Sequence, residues 1–198
     1  MNLDKLFSAF EKGGIAYKHF ENKEQARDYM VSNITGKKVT FGGSITLQEM
    51  GLYDALSEKN DVIWHWVKLD ADRKEITNSA EVYICSANGI AETGEIYNID
   101  GHGNRIAGSF YAPDISYIVV GINKIKPDLV SAIDYARNVA APKNAKRLNM
   151  KTPCAEKADK CYDCRSPARI CCVASIIYKK TMALKHLEVI VIGENLGY

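Results

Sequence analysis

Residues 39–47, Val-Thr-Phe-Gly-Gly-Ser-Ile-Thr-Leu, constrain the fold more than any other stretch. Lys37 to Phe41 is short and rich in β-branched and aromatic residues, which predicts a strand. Gly42 and Gly43 lack Cβ atoms, so the chain can turn sharply there and a ligand can approach the backbone. Ser44 predicts an N-cap. Leu47, Met50, Tyr53 and Leu56 continue at helical spacing. The free N–H groups of such a helix start suit an anion. Gly42, Gly43, Ser44 and Thr46 are therefore candidate ligand-binding residues, the alternative being a tight connection that binds nothing.

The same alternation recurs along the chain. Leu3, Leu6, Phe7 and Phe10 share a helical face that Gly13-Gly14 ends. Strands are predicted at Ile15–Phe20, Asp61–Leu69, Glu81–Cys85 and Tyr117–Val120. Helices are predicted from Asn22 to about Asn33, over Asp70–Ser79, and from Pro127 onward with an interruption at Pro142. On strand alternation His65 faces away from Trp64 and Trp66. Asp100-Gly101 signals a hairpin. Ile170–Tyr178 and Leu187–Ile192 read as two adjacent closing strands. The expectation is α/β, a mixed, mainly parallel sheet flanked by helices, in one domain spanning residues 1–198 that includes a cysteine-rich C-terminal loop at 152–172.

At 198 residues, with 46% hydrophobic and 25% charged side chains, the chain has material for a sizeable core. A formal charge of +2 gives no overall argument for nucleic acid or membrane. The apolar runs are far shorter than a membrane span. The sequence Met1-Asn2-Leu3-Asp4-Lys5 lacks a secretory h-region, so a cytoplasmic location is the default expectation.

A second candidate constellation is Asn88, Glu92, Thr93 and Glu95. Small residues after a strand, with carboxylates near Gly94, suit an active-site loop. Ligands in open α/β sheets sit beyond the C-terminal ends of strands. Ser44, Asn88 and Glu92 are expected to meet there, with Glu92 as a catalytic base or nucleophile. The alternative is that Glu92 orders its own loop.

Six cysteines occur, and five lie between Cys154 and Cys172. The spacing Cys154-x6-Cys161-x2-Cys164-x6-Cys171 places a C-x2-C half-site at the centre of two flanking thiols. Zinc and an iron–sulfur cluster both accept four thiolates, so Cys154, Cys161, Cys164 and Cys171 are the candidate metal ligands. Free thiols or a redox pair is the alternative. From Lys143 to Arg169 there are eight basic and three acidic residues. That balance can neutralise a cluster or grip an anion. With Tyr162 alone as an aromatic, it argues against single-stranded nucleic acid.

Gly42 to Leu52 (GGSITLQEMGL) resembles the signature of the LUD domain family, the lactate utilization proteins, differing at Ile45, where the family often has Met. Ser86 to Glu95 (SANGIAETGE) and Val191 to Tyr198 (VIGENLGY) are similar to it as well. The resemblance implies a fold like that of the sugar-isomerase and CoA-transferase (NagB/RpiA/CoA transferase-like) superfamily. It also implies a role in oxidising lactate to pyruvate together with iron–sulfur partner subunits, with a small anionic ligand, a carboxylate or phosphate, expected at the Gly42–Thr46 turn. CoA transferases of that superfamily use a glutamate nucleophile. Two alternatives stand beside this: a stand-alone sugar-phosphate or acyl-CoA enzyme using Glu92, and a metal-centred electron-transfer or interaction module.

Overall fold

The structure, a computed structural model, describes all 198 residues. Its strands are β1 (Ala16–Phe20), β2 (Lys38–Phe41), β3 (Asp61–Trp64), β4 (Val82–Cys85), β5 (Gly89–Ala91), β6 (Ile96–Asp100), β7 (Ile115–Gly121), β8 (Ile125–Lys126), β9 (Val173–Ile177) and β10 (His186–Ile192). The α-helices are α1 (Leu3–Lys12), α2 (Lys23–Asn33), α3 (Ile45–Glu49), α4 (Leu52–Ser57), α5 (Arg73–Ser79), α6 (Asn104–Phe110), α7 (Leu129–Tyr135), α8 (Ala141–Arg147) and α9 (Pro153–Lys157). None is long and apolar enough to cross a membrane.

Six strands form a parallel sheet in the order β1-β10-β7-β4-β2-β3. Its central strands read as continuous apolar runs because both faces are covered. Val82 and Ile84 of β4 join Met30, Leu47, Leu56 and Val119 on one face. Tyr83 and Cys85 join Phe10, Ile90, Ile118 and Val189 on the other. The period-2 alternation of side chains thus fills two cores from one strand. The mainly parallel α/β expectation holds. The antiparallel pairings are segregated into a second, four-stranded sheet, β8-β5-β6-β9.

Several local expectations are corrected. The hairpin turn lies at Glu92–Glu95, where Gly94 adopts φ +101° and its N–H donates to Ala91 O at 2.8 Å. Asp100 instead ends β6 and organises the start of α6. Its carboxylate accepts from the N–H groups of Gly101 (2.9 Å) and Arg105 (3.1 Å). The segments at 173–177 and 186–192 are not neighbours. The exposed Val173-Ala174 start of β9 lies at the edge of the small sheet, whereas the apolar β10 lies inside the large one. β3 stops at Trp64, whose carbonyl accepts from Val67 and Lys68 N–H in a turn. Residues 45–57 divide into two helices at Gly51, which has φ +60°. A π-helical segment, Ala136–Ala140, carries α7 into α8, and Pro142 sits in the first turn of α8.

Candidate functional site: a cationic cleft at the carboxyl ends of the strands

From β2 the chain steps to β3 at one edge of the sheet. From β4 it steps through β7 to β10 in the other direction. The order therefore reverses between β2 and β4, the place where such sheets bind ligands. A cleft of about 510 Å³ opens there. Segments following β2, β3, β4, β7 and β10 all contribute to it, through Ser44 and Thr46, His65 and Trp66, Ser86 and Asn88, Lys124, and Gly197 and Tyr198 respectively.

Lys124 forms the floor. Its residue is 3% exposed. The ammonium donates to Ser86 Oγ at 2.8 Å and to Thr46 Oγ1 at 3.0 Å. Both partners are neutral hydroxyls. Burial, reinforced by the nearby Arg105 guanidinium, lowers its pKa to about 7. The segment after β10 seals the floor from one side: Thr46 Oγ1 donates to Leu196 O at 3.2 Å, and Leu196 N–H donates to Asn123 Oδ1 at 3.1 Å. Gly197, with φ +57°, is held to glycine for a second reason. A Cβ there would lie 2.7 Å from Thr46 Oγ1 and 3.4 Å from Lys124 Nζ.

Above this floor the lining is basic. Arg73, Arg105, Lys124, Arg147 and Arg169 line the cleft with one carboxylate, Asp100, although Arg169 is also paired with Asp163 at 3.6 Å and donates to Cys164 O and Cys171 O. Asp100 is already spent on Arg105, with Nε to Oδ1 at 3.4 Å. Arg147 lies over the Trp66 ring, 4.9 Å from its centroid, and donates to Asn144 Oδ1 at 2.8 Å. Arg73 Nη1 donates to His102 Nε2 at 2.6 Å. His65 is held neutral, its pKa lowered to about 4 by burial and by the charge of Arg73. His65 Nδ1 and Arg73 Nε are buried polar atoms without a protein hydrogen-bond partner. Both residues line the cleft. Such atoms are uncommon in folded proteins.

The structure brings together Ser44, Thr46 and Asn88 from the sequence-derived candidates, and Gly43 lines the cleft beside them. The glycines are constrained differently from the expectation of close ligand approach. A Cβ on Gly43 would meet the Trp66 ring at 3.0 Å, and one on Gly42 would meet Arg105 Cγ at 2.7 Å. These residues are small because side chains of the cleft wall pack on them. Ser44 does cap the following helix, accepting from Leu47 N–H at 3.3 Å. That helix has only five residues, so the field in the cleft comes chiefly from the basic side chains. Asn88 orients the wall: its Oδ1 accepts from Ile99 N–H at 2.9 Å and from Arg105 Nη2 at 3.4 Å.

Glu92 does not join them. It follows β5 in the small sheet, where Oε1 accepts from Asn2 N–H at 2.7 Å beside the start of α1. The expectation assumed that the loop after β4 stays at the edge of the large sheet. Instead the chain enters β5, which pairs with β6 and β8 and carries Glu92 away from the cleft. His65 and Trp66 both reach the cleft because they lie in the turn beyond β3, where strand alternation no longer applies.

The cysteine segment forms part of the same wall. Cys171 and Cys172 line the cleft and also a neighbouring depression of about 260 Å³ that contains Cys161, Arg137 and Arg169. Cys161 Sγ accepts from Asp163 N–H at 3.3 Å and from Arg137 Nη2 at 3.7 Å. Cys154 is buried against Ala145 and Ala155, with Thr152 Oγ1 at 3.3 Å. All six thiols are free. The donor set suits zinc or a cluster in kind, but no three His, Cys, Asp or Glu side chains converge closely enough to hold an ion.

The fold is a parallel α/β sheet with a cationic cleft at its switch point. The sequence profile of the LUD domain family matches residues 3–192, and the chain belongs to that family. Its family-level role is in lactate utilization. The structure is similar to a crystal structure, at 1.70 Å resolution, of a DUF162 family protein from Deinococcus radiodurans. The likeness has a TM-score of 0.57 and 16% identity over 98% of this chain and 99% of that one, so it speaks to the fold alone. No curated protein matches the sequence.

Proposed function

We propose that the cleft binds a small carboxylate of the lactate–pyruvate type, and that the chain supports oxidation of lactate to pyruvate with iron–sulfur partner proteins as electron acceptors. The observation that carries this reading is a cleft lined by Arg73 and Arg147 in which buried Lys124 hydrogen-bonds only to hydroxyls. Paired guanidinium donors match a carboxylate in geometry and charge. The cleft is far larger than a three-carbon acid, so an acceptor group of a partner has room to approach a bound substrate. In the overall reaction lactate gives up two electrons and two protons, the electrons passing to the partner. Calorimetry on the full chain with lactate, pyruvate and inorganic phosphate tests the binding step. Saturable binding of the carboxylates, weakened in Arg147→Ala, is expected. Binding of neither carboxylate removes the reading.

A second reading concerns the cysteines. Two N–H donors, from Arg137 and Asp163, are directed at Cys161 Sγ, and Cys171 lines the same depression. We propose that Cys154, Cys161, Cys164 and Cys171 take up zinc or an iron–sulfur cluster, the thiols rotating inward as the ion binds. Metal analysis of protein purified without oxygen tests this.

A further inference from the structure

The cleft holds one buried amine and, above it, several guanidinium groups. We propose that Lys124 is a nucleophile that captures the carbonyl of a 2-oxo acid as a Schiff base. The inference rests on the reading of the cleft as a carboxylate site and adds a covalent step to it.

Three observations point this way. First, Lys124 is 3% exposed but lines the cleft, so its amine is dry and still faces a ligand. Second, its only hydrogen-bond partners are the Ser86 and Thr46 hydroxyls, and neither holds it as an ammonium ion the way a carboxylate would. Desolvation and the like charge of Arg105 bring its pKa down to about 7, so much of the amine is unprotonated near neutral pH. Desolvation and a cationic neighbour are the two general means of activating a lysine. Third, guanidinium groups and an amine in one cleft present complementary partners for the two functional groups of one molecule. Arginine takes the carboxylate, and the amine faces the adjacent carbonyl carbon. A 2-oxo acid is the smallest class of molecule that offers both.

The step balances without an oxidant. The Nζ lone pair adds to C2, and the carbonyl π electrons move to oxygen, which takes a proton and gives a carbinolamine. Nitrogen releases its protons, the C–O bond breaks, and water leaves as C=N forms. One amine and one 2-oxo acid yield one imine and one water. Ser86 Oγ accepts from Nζ, and its hydroxyl lies 3.3 Å from Ala87 O and 3.5 Å from Thr46 Oγ1. It is therefore placed to pass a proton between the amine and the departing oxygen.

The experiment is reductive trapping on the full chain. Protein is incubated with pyruvate and borohydride, then examined by intact mass and peptide mapping, with calorimetry of pyruvate in parallel. The expected result is one adduct per chain, mapped to Lys124. Lys124→Arg and Lys124→Met should lose the adduct; the arginine variant keeps the positive charge. The wild-type peptide map locates the adduct even if a variant fails to fold. Pyruvate binding without an adduct overturns the covalent step and leaves the carboxylate reading intact. An adduct spread over surface lysines, undiminished in the variants, also overturns it. Neither binding nor adduct removes both.

Discussion

The Nζ atom of Lys124 lies 2.8 Å from Oγ of Ser86, and this buried amine hydrogen-bonds to hydroxyls alone, with no carboxylate in direct contact. Burial without a bonded carboxylate makes the charged form costly, and stability should register that cost.

Lys124 has a folded-state pKa near 7 against an ordinary value of 10.5. Between those values the unfolded chain binds more protons than the folded one, so stability rises with pH across that window. Below about pH 7 the amine is charged in both states and the penalty is fully expressed, on the order of a few kcal/mol. Lys124→Met should therefore stabilise the protein most under mildly acidic conditions, with the advantage shrinking as pH rises toward about 10. Urea unfolding of both proteins across this range checks it. A constant difference at every pH would show that the amine is not desolvated in solution.

Gly43→Val should destabilise the protein by about 1–3 kcal/mol, because a larger side chain must displace the Trp66 ring. Trp66 is stacked on Trp64, with centroids 5.0 Å apart. Intrinsic fluorescence should change along with the melting temperature. Unchanged emission would mean that the glycine faces open space.

Glu92→Gln should leave carboxylate binding as it is. Its loss should appear in stability, at about 1 kcal/mol, since the charge-assisted hydrogen bond to Asn2 N–H is weakened. Calorimetry and thermal unfolding on one sample separate the two effects. A collapse of binding with normal stability would restore Glu92 to the site.

Arg147→Ala should weaken carboxylate binding by roughly tenfold and flatten its dependence on salt, because a cation held over Trp66 at the cleft wall is removed. Titrations at low and high ionic strength read both quantities. Equal affinity at both salts for wild type and variant alike would remove the electrostatic account.

Cys161→Ser should abolish metal uptake and open residues 158–170 to protease while the rest of the chain stays folded. The segment has few apolar residues and a small local core of Ala145, Cys154 and Ala155, so packing alone holds it weakly. Zinc, iron and acid-labile sulfide are measured in anoxically purified protein. Metal-free wild type with the same protease pattern as the variant would end the metal proposal.

The α/β architecture was legible because the period of the apolar residues switches cleanly between helix and strand, and because β4, β7 and β10 are apolar on both faces. The turn at Gly42–Ser44 located the cleft by the same logic. Glu92 was misplaced because a three-residue strand, Gly89–Ala91, hides in a run of small residues that reads as loop. Most of the cleft wall was illegible for another reason. Arg73, Arg105, Arg147 and Arg169 come from four separate segments, and only tertiary packing brings them together. Lys124 did leave one signal, a charge three residues beyond the apolar run of β7, but a surface lysine leaves the same mark.

β1 has a single partner in the sheet, and that partner is β10, which begins at His186. A nascent chain emerging from the ribosome therefore carries an unpaired, hydrogen-bond-hungry edge for most of its synthesis. β7 pairs with the earlier β4 on one side, but its other edge stays open until β10 fills the gap between it and β1. Contacts so distant in sequence fold slowly, and open strand edges invite association with other chains. The molecule's vulnerable moment thus falls before folding is complete, when chaperones would have the most to contribute and overexpression the most to spoil.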